Sequence, residues 1–216
     1  GAKGYEDFNE MLKNETLDVV HVCTPNRSHS FITVDSLEAG KHVMCEKPTS
    51  PTIQEAERMK ACAEKTGKTL SIGFQLSHAP SILNMKKDIM DGVFGKCLGM
   101  VATICWPRNS VYFARPWAAK ATIDGQVLLD SIAMNACAHY LHNMLFLNGG
   151  DIAEAAKPSS FTAEVYRINP IEMFDTCALR LTVGEDIELL YYVAHAVPMD
   201  AYRPVEMVIE GEKGEV

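Results

Sequence analysis

Three short apolar runs, separated by segments with helical spacing, constrain the fold of this chain more than any other feature. The runs are "LDVVHVCTP" (17–25), "HVMCEKP" (42–48) and "TLSIGFQ" (69–75), and each has the length and composition of a strand buried on both faces. The segments between them, 29–39 and 50–67, have helical patterns. Strand–helix–strand alternation with short connections predicts a parallel sheet with right-handed crossovers.

Helix ends in this half of the chain are marked by their usual residue types. Residues 6–14 form a short amphipathic pattern, and Gly40 ends the helix predicted over 29–39. For the helix in 50–67, Ser50 is the expected N-cap, Pro51 lies in the first turn and Gly67 ends it.

After residue 77 the pattern changes. A helix following Pro80 ends near Gly92, "KCLGMVATICW" alternates as a strand, a helix is predicted over roughly 130–147, and strand patterns dominate from Phe161. We therefore predict an α/β chain of two domains. Residues 1–77 form a parallel sheet with connecting helices, and residues 78–216 form an α+β domain with an open, mostly antiparallel sheet.

Composition narrows the class of protein. The 216 residues are 47% hydrophobic and 22% charged, with a net charge of −8, which is typical of a globular protein and disfavours nucleic acid as a partner. No apolar run approaches the ~18 residues of a membrane span. The seven cysteines are scattered and lack C-x-x-C spacing, so we expect free, mostly buried thiols in a reducing cytoplasm and no zinc site.

The element "GKHVMCEKPTSP" (40–51) places charged residues where an apolar strand ends. Ligands of an open parallel sheet bind at the carboxyl ends of its strands, so Glu46 and Lys47 are candidates for a ligand site, with Pro48 setting the direction in which the chain leaves. A lysine near a desolvated pocket can act as an acid or as a hydrogen-bond donor. The alternative is a solvated surface charge.

A second polar turn, "TPNRSH" (24–29), follows the first predicted strand. Thr24, Pro25 and Asn26 form the turn and His29 opens the next helix, where an amino-terminal end can receive a ribose or phosphate oxygen. A simple capped turn explains these residues equally well.

Asn135, His139 and His142 have the spacing of residues on one helical face. Buried polar groups need partners, so two histidines and an asparagine on one stripe favour a face directed at a ligand over ordinary packing. A metal site is a weaker alternative, because no carboxylate joins the histidines at comparable spacing.

The segment "CWPRNSVYFARPWAAK" (105–120) concentrates aromatic and hydrogen-bonding side chains, including Trp106, Arg108 and Trp117. Such side chains suit a polyhydroxylated ligand such as a sugar. A packed surface loop or a subunit contact is equally consistent with the pattern.

Taken together, these residues resemble the Gfo/Idh/MocA family of NAD(P)-dependent oxidoreductases. The resemblance runs through "LDVVHVCTPNRSH", "AGKHVMCEKP", "EAERMKACAEKTGK", "DGVFGK" and "AHYLHNMLFLNG", and its most specific part is the Glu-Lys-Pro element. It implies a Rossmann domain followed by an α/β domain with an open sheet that often mediates assembly, hence a homo-oligomer, either a dimer or a tetramer. It also implies NAD or NADP as cofactor and a carbohydrate-like substrate.

The resemblance also implies roles for individual residues. Lys47 would lie near the nicotinamide and the reacting carbon, and His139 would accept the proton of the substrate hydroxyl. Asn135 stands where the dehydrogenases often carry aspartate, so Lys47 or Asp130 would have to compensate. The resemblance places Thr24, Pro25, Asn26 and His29 along the nicotinamide end of the cofactor, and Glu46 and Pro48, which flank Lys47, are further cofactor candidates. The candidate substrate residues are Lys47, Asn135, His139 and His142, together with Trp106, Arg108 and Trp117 from the side-chain pattern of the 105–120 segment.

Two further departures from the family pattern bear on function. Ser77 stands where many members have arginine, and His142 where aspartate is frequent. The family's first strand and its Gly-x-Gly-x-x-Gly turn are absent, so we expect a piece of a longer protein that by itself binds dinucleotide poorly.

Three functions are compatible with these observations. The first is hydride transfer between nicotinamide and a secondary alcohol of a sugar, cyclitol or related polyol, which requires Lys47 and His139 to reach the same substrate. The second is an NAD-dependent glycosidase that acts by transient oxidation. The third is a non-catalytic assembly module.

Overall fold

The computed structural model describes residues 2–216 and divides the chain into two compact units. The first unit runs to Gly73 and also includes Thr122–Leu128, and the second comprises Phe74–Ala121 and Leu129–Val216. In chain order the helices and strands are α1 (Phe8–Asn14), β1 (Val19–Val22), α2 (His29–Glu38), β2 (His42–Cys45), α3 (Ile53–Thr66), β3 (Leu70–Ile72), α4 (Pro80–Met90), β4 (Cys97–Cys105), α5 (Ser110–Phe113), β5 (Thr122–Ile123), β6 (Gln126–Val127), α6 (Ala138–Leu147), β7 (Pro158–Tyr166), β8 (Thr176–Val183), β9 (Ile187–Ala194), β10 (Glu206–Gly211) and β11 (Gly214–Glu215).

The first unit contains the predicted parallel sheet. Its strands lie in the order β1-β2-β3, with Val20 opposite Val43 and Val43 opposite Leu70. The helices α2 and α3 connect these strands, and their residues Leu37 and Met59 are completely buried against the sheet. The predicted βαβαβ arrangement is therefore confirmed for this part of the chain.

Only one face of this sheet is buried, which corrects the expectation of strands buried on both faces. In β1, Val20 and Val22 lie in the core while Val19 is 57% exposed, and in β2 Met44 is 38% exposed. Among residues 2–216, the buried residues that pack on the sheet belong to one side of it. Apolar composition alone does not distinguish this arrangement from a sheet covered on both faces.

The start of α3 also differs from the prediction. Its N-cap is Thr52, not Ser50: the Thr52 hydroxyl accepts a hydrogen bond from the backbone N–H of Glu55 at 3.3 Å. The Thr-x-x-Glu spacing is a capping-box signal, and Ser50 instead donates to the Thr52 carbonyl at 2.8 Å. The other end is as predicted, since Gly67 has a left-handed φ of 66°, which a glycine adopts without strain.

The second unit is built on a mixed sheet with the strand order β11-β10-β4-β9-β8-β7. Within residues 2–216, every neighbouring pair in this sheet is antiparallel except β4 and β9. The prediction of a mostly antiparallel sheet is confirmed. One face packs on α6 and α4, with Met144, Leu189 and Tyr191 among the completely buried residues.

The opposite face of this sheet carries no helix in the described part of the chain. We call it the open face and define it by Thr103, Tyr166, Ala178, Arg180 and Tyr192, which share one side of β4, β7, β8 and β9. Tyr166 is 50% exposed and Tyr192 is 40% exposed.

The helix predicted over roughly 130–147 is shorter than expected. Residues 132–137 form turns, and α6 begins only at Ala138. The reason lies in local hydrogen bonds: the N–H of Asn135 bonds to Ser131 O at 2.9 Å, whereas that of Cys137 bonds to Ile132 O at 2.9 Å, five residues back. Asn135 therefore lies outside the helix, and helical spacing does not relate it to His139.

Other expectations concern membranes and cysteines. Across residues 2–216, no helix combines the length and apolar character needed to cross a bilayer. Among residues 2–216 no two cysteines form a disulfide; Cys45, Cys62, Cys97, Cys137 and Cys177 are buried, while Cys23 is exposed. Burial raises the pKa of the Cys45 thiol to about 11, which makes it unreactive at neutral pH.

Candidate functional site

In the first unit, His29 connects the two turns that follow β1 and β2. Its side chain is 1% exposed, with Nδ1 2.7 Å from Pro48 O and Nε2 2.8 Å from Thr24 O. Because both ring nitrogens face backbone carbonyls, the imidazole holds the 24–29 turn against the Glu-Lys-Pro turn. The sequence predicted His29 to line a cofactor, whereas the structure uses it to position the turns that carry the other candidates.

The 24–29 turn exposes part of its polar surface and anchors the rest. Thr24 and Pro25 are exposed, and the Ser28 hydroxyl lies 2.7 Å from Thr24 Oγ1. The Asn26 amide donates to Leu128 O at 3.0 Å, so this predicted cofactor residue anchors the turn to the β5–β6 hairpin. Nothing in the spacing of the sequence indicates that contact.

Glu46, Lys47 and Pro48 follow β2, as predicted. Glu46 and Lys47 are half-buried and Pro48 is buried, with a cis peptide bond between Lys47 and Pro48. The Glu46 carboxylate accepts a hydrogen bond from the Lys47 backbone N–H at 3.3 Å. Gly73 approaches closely, since a Cβ there would lie 3.3 Å from Glu46 Cα. Glu46 and Lys47 therefore lie at the carboxyl end of the parallel sheet, where the Glu46 carboxylate is held by the backbone of the turn.

In the second unit, His139 and His142 both contact the ring of Phe74. His142 stacks on it with centroids 4.1 Å apart, and His139 meets it edge-on at 5.8 Å. Both histidines are half-buried on α6. The predicted stripe thus holds for the two histidines but not for Asn135.

Ser77 fixes the orientation of His142. Its hydroxyl lies 2.7 Å from His142 Nδ1 and donates to Asn143 Oδ1 at 2.7 Å. A hydroxyl has one proton to donate, so Nδ1 of His142 carries the hydrogen in this arrangement and Nε2 is an acceptor. The two positions at which the sequence departs from the family pattern, Ser77 and His142, therefore contact each other.

Burial lowers the pKa of His142, and the neighbouring side chains of His139, His78 and Lys86 lower it further. The imidazole is consequently neutral at physiological pH, which agrees with its hydrogen bonds. The Phe74 ring therefore lies against both imidazoles, face to face with His142 and edge-on to His139.

The Asn135 side chain is hydrogen-bonded to Asp130, the carboxylate that was expected to compensate for the aspartate missing at position 135. Its amide donates to Asp130 Oδ1 at 2.7 Å, and Asp130 Oδ2 accepts the backbone N–H of Ala119 at 2.7 Å. Asp130 is only 7% exposed. It therefore joins the turn before α6 to the end of the aromatic segment, and it supplies a negative charge next to Asn135.

The aromatic segment 105–120 packs against α6 through Trp106, whose ring meets Tyr140 edge-on at 5.7 Å. It is not wholly irregular, because it contains the short helix α5. Trp117, the third predicted substrate residue there, is 41% exposed. The segment therefore lies beside the helix that carries His139.

Sequence reasoning did not single out His195, which is buried and contacts Trp106 and Tyr112 of this segment. Its Nδ1 lies 2.7 Å from Trp106 O, and burial lowers its pKa to about 4, an effect that Arg108 increases. It follows a strand without any motif, so only the folded structure identifies it. Of the described residues, no group of three or more His, Cys, Asp or Glu side chains is arranged to hold a metal ion.

Comparison with known proteins agrees with the resemblance found in the sequence. Residues 1–74 match the model of the Gfo/Idh/MocA oxidoreductase family, which is described as having an NAD-binding Rossmann fold. The resemblance is therefore confirmed, and it covers the unit that contains the Glu-Lys-Pro turn.

Curated relatives extend the match. The chain is 40% identical over 95 residues to a D-glucoside 3-dehydrogenase from Escherichia coli, covering 44% of this chain and 27% of the relative. It is 38% identical over 101 residues to an inositol 2-dehydrogenase/D-chiro-inositol 3-dehydrogenase from Lactiplantibacillus plantarum, covering 46% and 29%. It is also 30% identical over 142 residues to a levoglucosan dehydrogenase from Pseudarthrobacter phenanthrenivorans, covering 62% and 35%. The matches thus span about a quarter to a third of these relatives.

Solved structures show the same fold over the whole chain. The WlbA dehydrogenase from Bordetella pertussis, in complex with NADH and UDP-GlcNAcA, superposes with a TM-score of 0.87 at 24% identity, covering 100% of this chain and 59% of that one. The myo-inositol 2-dehydrogenase from Lactobacillus plantarum superposes with a TM-score of 0.80 at 20% identity, covering 98% and 60%.

Proposed function

We propose that this protein transfers hydride between a nicotinamide cofactor and a secondary alcohol of a sugar, cyclitol or related polyol. The observation that carries the proposal is the match of residues 1–74 to the NAD-binding oxidoreductase family, with Lys47 placed at the carboxyl end of the parallel sheet. The names of the curated relatives, which are dehydrogenases of a glucoside, of inositols and of levoglucosan, support the substrate class.

The polar groups at the strand ends fit the nicotinamide end of a dinucleotide. The exposed hydroxyl of Thr24 and the half-buried ammonium of Lys47 follow neighbouring strands, whose turns His29 holds together. In doubly wound sheets this edge receives the nucleotide. NAD or NADP, when bound, supplies the hydride acceptor, and the protein orients it.

We assign the proton transfer to His139, which acts as the general base for the substrate hydroxyl. We assign to Lys47 a hydrogen bond to the substrate that stabilises the negative charge developing during the reaction. The ring of Phe74 packs edge-on against His139 and is itself covered by His142.

A second copy of this chain is the proposed partner, and the open face is its proposed contact surface. The face combines the half-exposed rings of Tyr166 and Tyr192 with the Arg180–Glu188 ion pair at 3.0 Å. Exposed aromatic groups with a polar surround are typical of protein–protein contacts.

Replacing the two proposed catalytic groups tests the assignment. We expect Lys47→Ala and His139→Ala each to lower the rate of NADH or NADPH formation by at least about 100-fold, because each removes one group that acts on the reacting oxygen. The measurement is absorbance of the reduced cofactor with a panel of sugars and cyclitols, using the full-length protein.

Lys41→Ala is the matched control, since Lys41 is a half-buried lysine at the other end of the same strand. Wild-type rates in both catalytic variants would refute the assignment. Release of sugar from a glycoside without net reduced cofactor would point instead to a glycosidase that uses the cofactor transiently.

A further inference from the structure

Two guanidinium groups of the aromatic segment share one tyrosine ring. Arg115 lies 3.8 Å and Arg108 4.8 Å from the centroid of Tyr112, and Arg108 is also 5.8 Å from the ring of Trp106. Both arginines are half-buried. Stacking on an aromatic ring stabilises each cation, but it does not neutralise it.

Neither guanidinium has an ionic partner in the described part of the chain. Arg108 and Arg115 form no ion pair with a carboxylate, and each donates one hydrogen bond, to the backbone carbonyls of Pro107 and Tyr112 respectively. Lys120, in the same segment, is paired with Glu172 at 2.7 Å. The segment therefore leaves two of its three cations without a counter-charge.

Other arginines without a carboxylate partner are accounted for by solvent. Arg58, Arg167 and Arg203 are all exposed, so water hydrates their charge. Arg108 and Arg115 are half-buried and close to one another, so they are less well hydrated and repel each other. An anionic ligand would stabilise two such guanidinium groups, because its negative charge would offset their mutual repulsion.

Two acidic side chains that share a cavity with Tyr112 accept hydrogen bonds from other donors. Asp130 and Asp175 line a small cavity beside Tyr112 and His195, with a volume of about 10 Å³. Asp130 accepts from Ala119 and Asn135, as described above, and Asp175 accepts the backbone N–H groups of 168 and 169 at 3.1 and 2.9 Å. Their charges therefore stabilise loop backbone instead of pairing with the arginines.

The segment also has more hydrogen-bond donors than acceptors. Trp106 Nε1 and Arg108 Nε are buried donors without an acceptor among residues 2–216. Buried donors without partners are rare in folded proteins, and they commonly mark a place where a further acceptor belongs.

We propose that Arg108 and Arg115 form an anion subsite that binds a carboxylate or phosphate group of the substrate. A guanidinium binds either group with two parallel hydrogen bonds, and two guanidiniums on one ring offer a double contact. This inference rests on the proposed function and narrows it: the substrate is a sugar or cyclitol that carries an acidic group away from the carbon that is oxidised. The Trp106–Tyr140 contact places the subsite beside α6, which carries His139.

Binding of simple probes to the 216-residue chain tests the subsite without hydride transfer. The probes are D-glucuronate, D-glucose 6-phosphate and uncharged D-glucose, compared by calorimetry at constant ionic strength. We expect at least one anionic sugar to bind about tenfold or more tightly than glucose, because guanidinium–anion hydrogen bonds are charge-assisted. The two anionic probes distinguish a carboxylate from a phosphate ligand.

The variants Arg108→Gln and Arg115→Gln should each lower the ratio of anionic-probe affinity to glucose affinity by most of its tenfold excess. Arg203→Gln is the matched control, because Arg203 is an exposed arginine outside the segment. Equal binding of glucose and both anions, or a preference that survives both variants, would overturn the proposal.

If a glutamine variant does not fold, the salt dependence of probe binding to the unmodified chain tests the anion subsite instead. Raising the salt concentration from about 0.05 M to about 0.5 M should weaken binding of the anionic probe and not that of glucose. Unchanged anion binding would overturn the proposal. Anion binding by the 216-residue chain, with no formation of reduced cofactor by the full-length protein, would retain the subsite and refute the dehydrogenase. Formation of reduced cofactor from uncharged sugars alone, without anion binding, would retain the dehydrogenase and refute the anion subsite.

Discussion

At the scale of single residues, the histidines show how burial assigns different roles to one side-chain type. His29 is enclosed between two carbonyls and positions the strand-end turns, whereas Ser77 orients His142 and burial lowers the pKa of His142. His139 remains half-buried on α6 and suits proton transfer. The residue type is the same, but the partners and the exposed surface determine what each imidazole can do.

His195 leads to a prediction about pH. Its folded-state pKa of about 4 lies below the ordinary value of 6.5, mainly because of burial. Between these pH values the unfolded chain binds a proton that the folded chain does not. The stability contribution is therefore complete above about pH 6.5 and is lost as the pH falls toward 4. The loss is about 3 kcal/mol in the free energy of unfolding.

Urea unfolding at several pH values measures this loss. His195→Gln should flatten the dependence between pH 6.5 and 4, whereas His21→Gln, at an exposed histidine, should leave it as in the unmodified chain. A slope that is the same in His195→Gln and in the unmodified chain would contradict the assignment.

At the scale of elements, α6 depends on contacts with the turn that precedes α4. Ser77, in the 3₁₀ turn Gln75–His78, bonds to both His142 and Asn143 of α6. Asp130 makes the corresponding link on the amino-terminal side, through Asn135. The helix is therefore oriented by polar contacts at both of these places as well as by its apolar face.

Removing the Ser77 hydroxyl should destabilise the second unit. We expect Ser77→Ala to lower the free energy of unfolding by about 1–3 kcal/mol, because it leaves buried groups of His142 and Asn143 without a partner. Chemical denaturation measures the change. Ser81→Ala removes an exposed hydroxyl from the nearby helix α4 and should change stability by less than about 0.5 kcal/mol. Equal effects of the two substitutions would show that the Ser77 contacts are not stabilising.

At the scale of the whole molecule, the sheet of the second unit buries one face and leaves the open face to solvent. The strand β7 is exposed along its whole length and pairs only with β8 among the described strands. An exposed sheet face and an unpaired edge are features that proteins usually cover by assembly. They motivate the proposed contact with a second copy.

A charge on the open face should prevent this contact. We expect Tyr192→Glu to shift sedimentation toward the monomer at concentrations where the unmodified protein self-associates, because it places charge within an apolar contact. Tyr202→Glu is the control, at an exposed tyrosine outside the sheet. Self-association that is unchanged in Tyr192→Glu would place the contact elsewhere.

The sequence by itself determined the order of the elements and the type of each sheet. Apolar runs that end in Thr-Pro and Glu-Lys-Pro predicted β1 and β2 with their polar turns, and alternating patterns predicted the second sheet. These features depend on local spacing and on the burial of apolar side chains, which a sequence displays directly.

Only the tertiary structure decided which polar groups meet. The contacts Asn26–Leu128, Ser77–His142 and Asn135–Asp130, and the two arginines on Tyr112, join residues whose spacing in the chain carries no signal. The same holds for the late start of α6 and for the single buried face of the parallel sheet. Hydrogen bonds and desolvation act between neighbours in space, so they are set when the elements pack and cannot be inferred from periodicity.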